Sequence, residues 1–100
     1  MRYRRKFGLI GKNIEYSFSR KYFLEKFNSD TNLTGYTYEN FDIESINLIN
    51  SFISDKKLGG LNVTIPYKEE IIPYLDKLSD EAKEIGAVNT ICFKNNKRIG

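Results

Sequence analysis

Leu61-Asn62-Val63-Thr64-Ile65, with Gly59-Gly60 before it and Pro66 behind it, is the stretch that decides the fold. It is an apolar run carrying two short polar residues, closed at both ends by turn formers, and it reads as a buried strand that Gly59-Gly60 sets off from what precedes. Pro66 fits the first turn of a helix, where its missing N–H costs nothing. That helix holds Lys68, Glu69, Glu70, Ile71 and Ile72 and stops before Pro73. A strand running directly into a helix is the repeating unit of an α/β domain, and the pattern recurs on both sides.

Upstream, Phe7-Gly-Leu-Ile-Gly11 is a short apolar strand. Residues 20–28 follow, with Phe23 and Phe27 on one helical face at i and i+4, and Ser19 is placed to cap them. Tyr36-Thr-Tyr-Glu-Asn-Phe41 reads as a strand at or near a sheet edge. From Asp42, a candidate N-cap, Ile46, Ile49, Phe52 and Ile53 recur at helical spacing. Downstream, Ser79 or Asp80 opens a short helix that Gly86 ends, with Leu78, Ala82 and Ile85 facing inward. Residues 87–93 form a further strand, and 94–97 turn the chain back into Arg98-Ile99. A chain that stops at Gly100, just as a hairpin returns, is expected to be a piece of a longer protein.

Composition narrows the chemistry. With 100 residues, 40% apolar and 29% charged, the chain has material for one soluble domain and is not disordered. It has no His, so no Ser-His-Asp triad, Cys-His dyad or histidine metal ligand can be built. A lone cysteine, Cys92, excludes an internal disulfide and a multi-Cys zinc site, suits a reducing compartment, and reads as an inert thiol in a core strand. No metal is expected. No apolar run is long enough to span a membrane. The start, Met1-Arg-Tyr-Arg-Arg-Lys6, is basic, but a net charge of +3 spread along the chain is a weak footprint for nucleic acid, and the run reads as a solvated overhang.

Two segments carry the reading to function. One is Gly8-Leu-Ile-Gly11-Lys-Asn-Ile-Glu-Tyr-Ser17-Phe-Ser19; the other is Gly60-Leu-Asn62-Val-Thr64-Ile-Pro66-Tyr-Lys68, followed by Gly86-Ala-Val-Asn89-Thr90. Together they resemble the N-terminal, substrate-binding domain of the shikimate dehydrogenase family, whose pattern runs G-x-I-G-x-P-I-x-H-S-x-S-P, then N-V-T-x-P-x-K, then G-A-V-N-T. The resemblance covers residues 7–100. Where the family has Pro, His and Pro in the first block, this chain has Asn13, Tyr16 and Arg20. The family's catalytic Asp lies beyond Gly100, and no G-x-G-x-x-G phosphate loop occurs in the sequence.

The resemblance implies an NADP-dependent, cytoplasmic oxidoreductase that interconverts 3-dehydroshikimate and shikimate in aromatic amino-acid biosynthesis. NADP would be bound mainly by a domain absent from residues 1–100. A quinate/shikimate paralogue and a non-catalytic small-carboxylate binding module are the alternatives. The expected architecture is a mostly parallel sheet with helices on both faces and an antiparallel hairpin near the C-terminus, with the site at the carboxyl ends of the strands. On pattern alone a serine at 17–19 merely caps a helix; the resemblance makes Ser17 and Ser19 the pair that receives the substrate carboxylate. It makes Lys68 both a substrate contact and the acid/base group. In the first turn after Pro66, the positive end of the helix dipole would disfavour its ammonium form. Thr64 and Asn89 are implied to meet substrate hydroxyls, and Asn62 and Thr90 to brace the site. Asp80 falls near the cofactor side of the cleft or simply caps its helix. Glu69 and Glu70, adjacent and so about 100° apart on a helix, are read as first-turn acids.

Overall fold

A computed structural model describes residues 6–15, 18–30, 35–55 and 57–100. Five strands form one sheet: β1 (Lys6–Gly11), β2 (Thr37–Asp42), β3 (Leu58–Val63), β4 (Thr90–Lys94) and β5 (Lys97–Ile99), in spatial order β2-β1-β3-β4-β5. β1 pairs in parallel with both β2 and β3, whereas β3/β4 and β4/β5 are antiparallel. β5 therefore runs with β3, and β4 alone is reversed, so the sheet is mostly parallel with a C-terminal hairpin. That hairpin turns on Asn95 (φ 53°) and Asn96 (φ 63°), the paired positive φ values of a tight turn that matches strand twist.

Alternation along the strands divides the core between the two faces. Ile10, Leu61, Val63, Ile91 and Phe93 point to one side, where they meet Ile49, Ile53, Tyr67, Ile71, Ala82 and Val88. Leu9 and Tyr38 point to the other, under Phe27 of α1 (Ser19–Ser29) and beside Ile14, Phe7 and Phe23. Each fully buried Ile or Leu removes enough apolar surface to stabilise by about 1.5–3 kcal/mol. The edge position expected for β2 is observed.

Several local expectations give way to tertiary context. Gly59-Gly60 does not interrupt β3 but lies inside it, where the pairing slips from Lys6↔Leu58 to Phe7↔Gly60; a bulge of this kind suits glycine. β4 begins at Thr90, so residues 87–89 are connection rather than strand. Asp42 closes β2 instead of capping a helix, because its carboxylate accepts the N–H groups of Asn13 (3.0 Å) and Ile14 (3.1 Å). The segment behind it is a 3₁₀ helix, Ile46–Ser51, with Ser45 at its start; Ile and Asn are weak α-formers. No α-helix follows Pro66. Residues 65–71 are turns, the Ile65–Pro66 bond is cis, and Pro73 sits in the first turn of a short 3₁₀ helix, Ile72–Tyr74. Glu69 and Glu70 are exposed on those turns.

The second α-helix follows its sequence signals. α2 (Asp80–Ile85) starts at Ser79, whose Oγ accepts the Ala82 N–H at 3.1 Å, and ends at Gly86 with φ 76°. Ala82 is buried and Leu78 half-buried, but Ile85 is 74% exposed and does not face inward. Ser79→Ala should lower stability by about 0.5–2 kcal/mol through loss of the cap, read as a lower urea midpoint with unchanged slope. An unchanged midpoint would mean the cap contributes nothing. Among the described residues, no helix is long and apolar enough to cross a membrane.

Candidate functional site

The carboxyl ends of β1 and β3 lie side by side and share an edge of the sheet with the start of β4. Backbone bonds lock the segments leaving them. Thr64 N–H donates to Ile10 O (2.9 Å), Val63 N–H to Asn89 O (2.8 Å) and Val88 N–H to Lys68 O (2.7 Å). The chain positions that carry Thr64, Lys68 and Asn89 are thus tied into one edge. Gly11 is needed for this approach: a Cβ there would stand 2.6 Å from Thr64 Cγ2 and 2.6 Å from Ile14 Cγ2.

Lys68, Asn89 and Thr90 line one cavity of about 200 Å³, together with Ser79, Glu81 and Ala82 of the α2 segment. Lys68 and Asn89 are exposed, so both side chains reach solvent from the cavity. Lys68 is not in the first turn of a helix, because turns follow Pro66 instead; its carbonyl is held by the Val88 N–H. Thr90 also lines a larger, mainly apolar cavity of about 340 Å³ on the α1 side of the sheet, with Phe7, Phe23, Tyr38 and Asn62.

Ser19 is the first residue of α1 rather than its cap; Phe18 holds the cap position and no side chain caps the helix. The Ser19 hydroxyl is instead hydrogen-bonded to Tyr38, which also accepts from Asn62 Nδ2 at 2.9 Å. Burial pushes the Tyr38 phenol above its ordinary value, outweighing the bonds from Asn62 and Ser19 that favour the phenolate. Asn62, half-buried within β3, is therefore partnered by protein, as a polar group in an apolar strand must be.

Thr64 is half-buried just past β3 and lines neither cavity. Asp80 is exposed in the first turn of α2, lines neither cavity and is not the cap, which is Ser79. Ser17 and Tyr16 lie outside the described residues, as does most of the basic N-terminal run. Its last member, Lys6, is described and pairs with Asp55 (3.1 Å) and Glu39 (3.4 Å). Cys92 is exposed: β4 turns Ile91 and Phe93 into the core, so Thr90 and Cys92 take the opposite face, which α1 does not cover here. The sequence signals gave Tyr38 and Glu81 no part in a site.

The Asn13 departure has a structural account. Its φ is 59° and its N–H donates to Asp42. Proline, fixed near −65° and without an N–H, could supply neither feature. Arg20 is an exposed residue of α1.

Residues 9–91 match the family model of the shikimate dehydrogenase substrate binding domain. The chain belongs to this family. A shikimate dehydrogenase (NADP(+)) of Staphylococcus aureus strain MSSA476 is 45% identical over 95 residues, 95% of this chain and 35% of that protein. Shikimate dehydrogenase 1 from Peptoclostridium difficile superposes with a TM-score of 0.82 at 40% identity, covering 96% of this chain and 36% of the other. Shikimate 5-dehydrogenase from Listeria monocytogenes, solved in complex with shikimate and NAD, gives a TM-score of 0.85 at 34% identity, covering 96% of this chain and 33% of the other. The chain spans about a third of the length of these relatives.

Proposed function

We propose that residues 1–100 are the substrate-binding domain of a cytoplasmic, NADP-dependent dehydrogenase. It holds shikimate and 3-dehydroshikimate for their interconversion in aromatic amino-acid biosynthesis. The observation that carries the reading is the gathering of Lys68, Asn89 and Thr90 around one cavity at the carboxyl edge of the sheet. Membership of the family gives that gathering its chemical sense. In this reading, Ser17 and Ser19 take the substrate carboxylate. Thr64 and Asn89 meet the ring hydroxyls, with Asn62 and Thr90 as braces. Lys68 exchanges the proton of the reacting hydroxyl, since a lysine amine is a mobile donor and acceptor at the end of a flexible stem.

The described residues do not build a dinucleotide site. The sequence has no G-x-G-x-x-G, and Asp80, the one position pointed toward the cofactor, sits on α2 among residues that offer no phosphate cradle. NADP is therefore assigned to residues outside these 100.

Ser19→Ala should weaken shikimate binding by about 10- to 150-fold, the loss of one hydrogen bond to a charged group. Initial rates with NADP, measured on the dehydrogenase that carries this domain, should show the change in KM rather than kcat. A protein that oxidised quinate but not shikimate would move the reading to the quinate paralogue. One that bound shikimate and oxidised neither would move it to a non-catalytic module.

A further inference from the structure

We propose that Tyr67 is a positioning residue for Lys68: its phenol, bonded to the Ile43 carbonyl, fixes the turn from which the Lys68 amine reaches the substrate. The proposal rests on the reading that Lys68 exchanges the proton of the reacting hydroxyl. Lys68 stands on irregular backbone, because residues 65–71 are turns. A regular helix would hold it by a repeating ladder of backbone bonds; here individual anchors do so. The lysine stem is flexible, so the region its amine can reach depends on where its backbone is held.

Two anchors flank it. On one side the Lys68 carbonyl accepts the Val88 N–H at 2.7 Å. On the other, Tyr67 turns into the larger core, where it is 3% exposed. Its hydroxyl donates to the carbonyl of Ile43, the residue just past β2. The direction of that bond is fixed, since a carbonyl can only accept. β1 lies between β2 and β3, so the phenol ties the turn after β3 to the exit of β2 across the end of β1. The main chain around both ends is held in the same frame: Tyr67 N–H donates to Thr64 O, Ile71 N–H to Tyr67 O and Ile43 N–H to Gly11 O, each at 3.0 Å. Burial first, and then the charges of Glu70, Asp42 and Glu44, push the phenol above its ordinary value, so it stays protonated and keeps donating.

The test is steady-state kinetics of the dehydrogenase that carries this domain, at saturating shikimate and NADP, for wild type, Tyr67→Phe, Lys68→Ala and the double variant. Hydrogen exchange at the Val88 amide is measured alongside. Tyr67→Phe keeps the ring in the core and removes only the hydroxyl. Its kcat should fall about 10-fold, since small misplacements of a reacting group are costly, and the Val88 amide should exchange faster. In the Lys68→Ala background the same change should lower kcat no further. Ile49→Val trims the same core on the 3₁₀ helix Ile46–Ser51 and should leave kcat at the wild-type value. An unchanged kcat in Tyr67→Phe, an equal fall with and without the lysine, or an equal fall in Ile49→Val would overturn the proposal. If Lys68→Ala itself keeps the wild-type kcat, the reading of Lys68 fails and takes the proposal with it.

Discussion

Lys68→Ala is expected to lower kcat of the dehydrogenase that carries this domain by about 10²–10⁴-fold, the usual range for losing one acid/base group, while the fold survives. Lys68 is exposed, and its visible structural role is a backbone one: its carbonyl accepts the Val88 N–H. Truncating the side chain leaves that bond intact, and a surface truncation of this kind changes stability by about 0.5 kcal/mol or less. Lys68→Arg separates charge from proton exchange. Arginine keeps the positive charge but does not deprotonate, so it should rescue binding and not turnover. Steady-state rates at saturating shikimate check both variants, and an unchanged kcat in Lys68→Ala would remove Lys68 from the mechanism.

Ile10→Ala should destabilise the domain by about 2–5 kcal/mol. Ile10 is fully buried on β1, between β2 and β3, and packs into the larger of the two cores. The loss is large against the roughly 5–15 kcal/mol that holds a domain of this size together. It would also reach the site, because the Ile10 carbonyl holds the Thr64 N–H and Gly11 follows directly. Urea unfolding followed by circular dichroism should show the midpoint fall sharply. A midpoint within error of wild type would contradict the buried, central placement of β1.

The parts of the fold that could be read from sequence are those with local causes. Ser79 and Gly86 delimit α2 because a cap and a left-handed residue act within one turn of the chain. Asn95-Asn96 specify their hairpin in the same way. The misreadings concern residues whose partners are distant. Asp42 looks like a cap until the N–H groups of Asn13 and Ile14, 29 and 28 residues away, take its oxygens. Pro66 looks like a helix start, but residues 65–71 turn without forming one. Cys92 looks like core because an apolar strand says nothing about which of its faces is covered.

The site divides along the same line. Lys68, Asn89 and Thr90 could be named from motifs, and the fold brings them to one cavity. Tyr38 could not: at an alternating position in an aromatic-rich strand it reads as one more core ring. Its bond to Asn62 spans 24 residues, and no spacing rule reports it. Ser19 was legible as a polar residue at a helix start, yet it does not cap α1 and is bonded to the Tyr38 phenol instead.

The central claim, that the carboxyl edge of this sheet is a shikimate site, is tested most directly by an NMR titration of the 100-residue chain with shikimate. Affinity should be weak, but the map of shifts is decisive. The account predicts amide shifts confined to residues 17–19, 62–68 and 86–90. Shifts centred elsewhere, for example at residues 2–6 or along β2, or no shifts at millimolar shikimate, would contradict it.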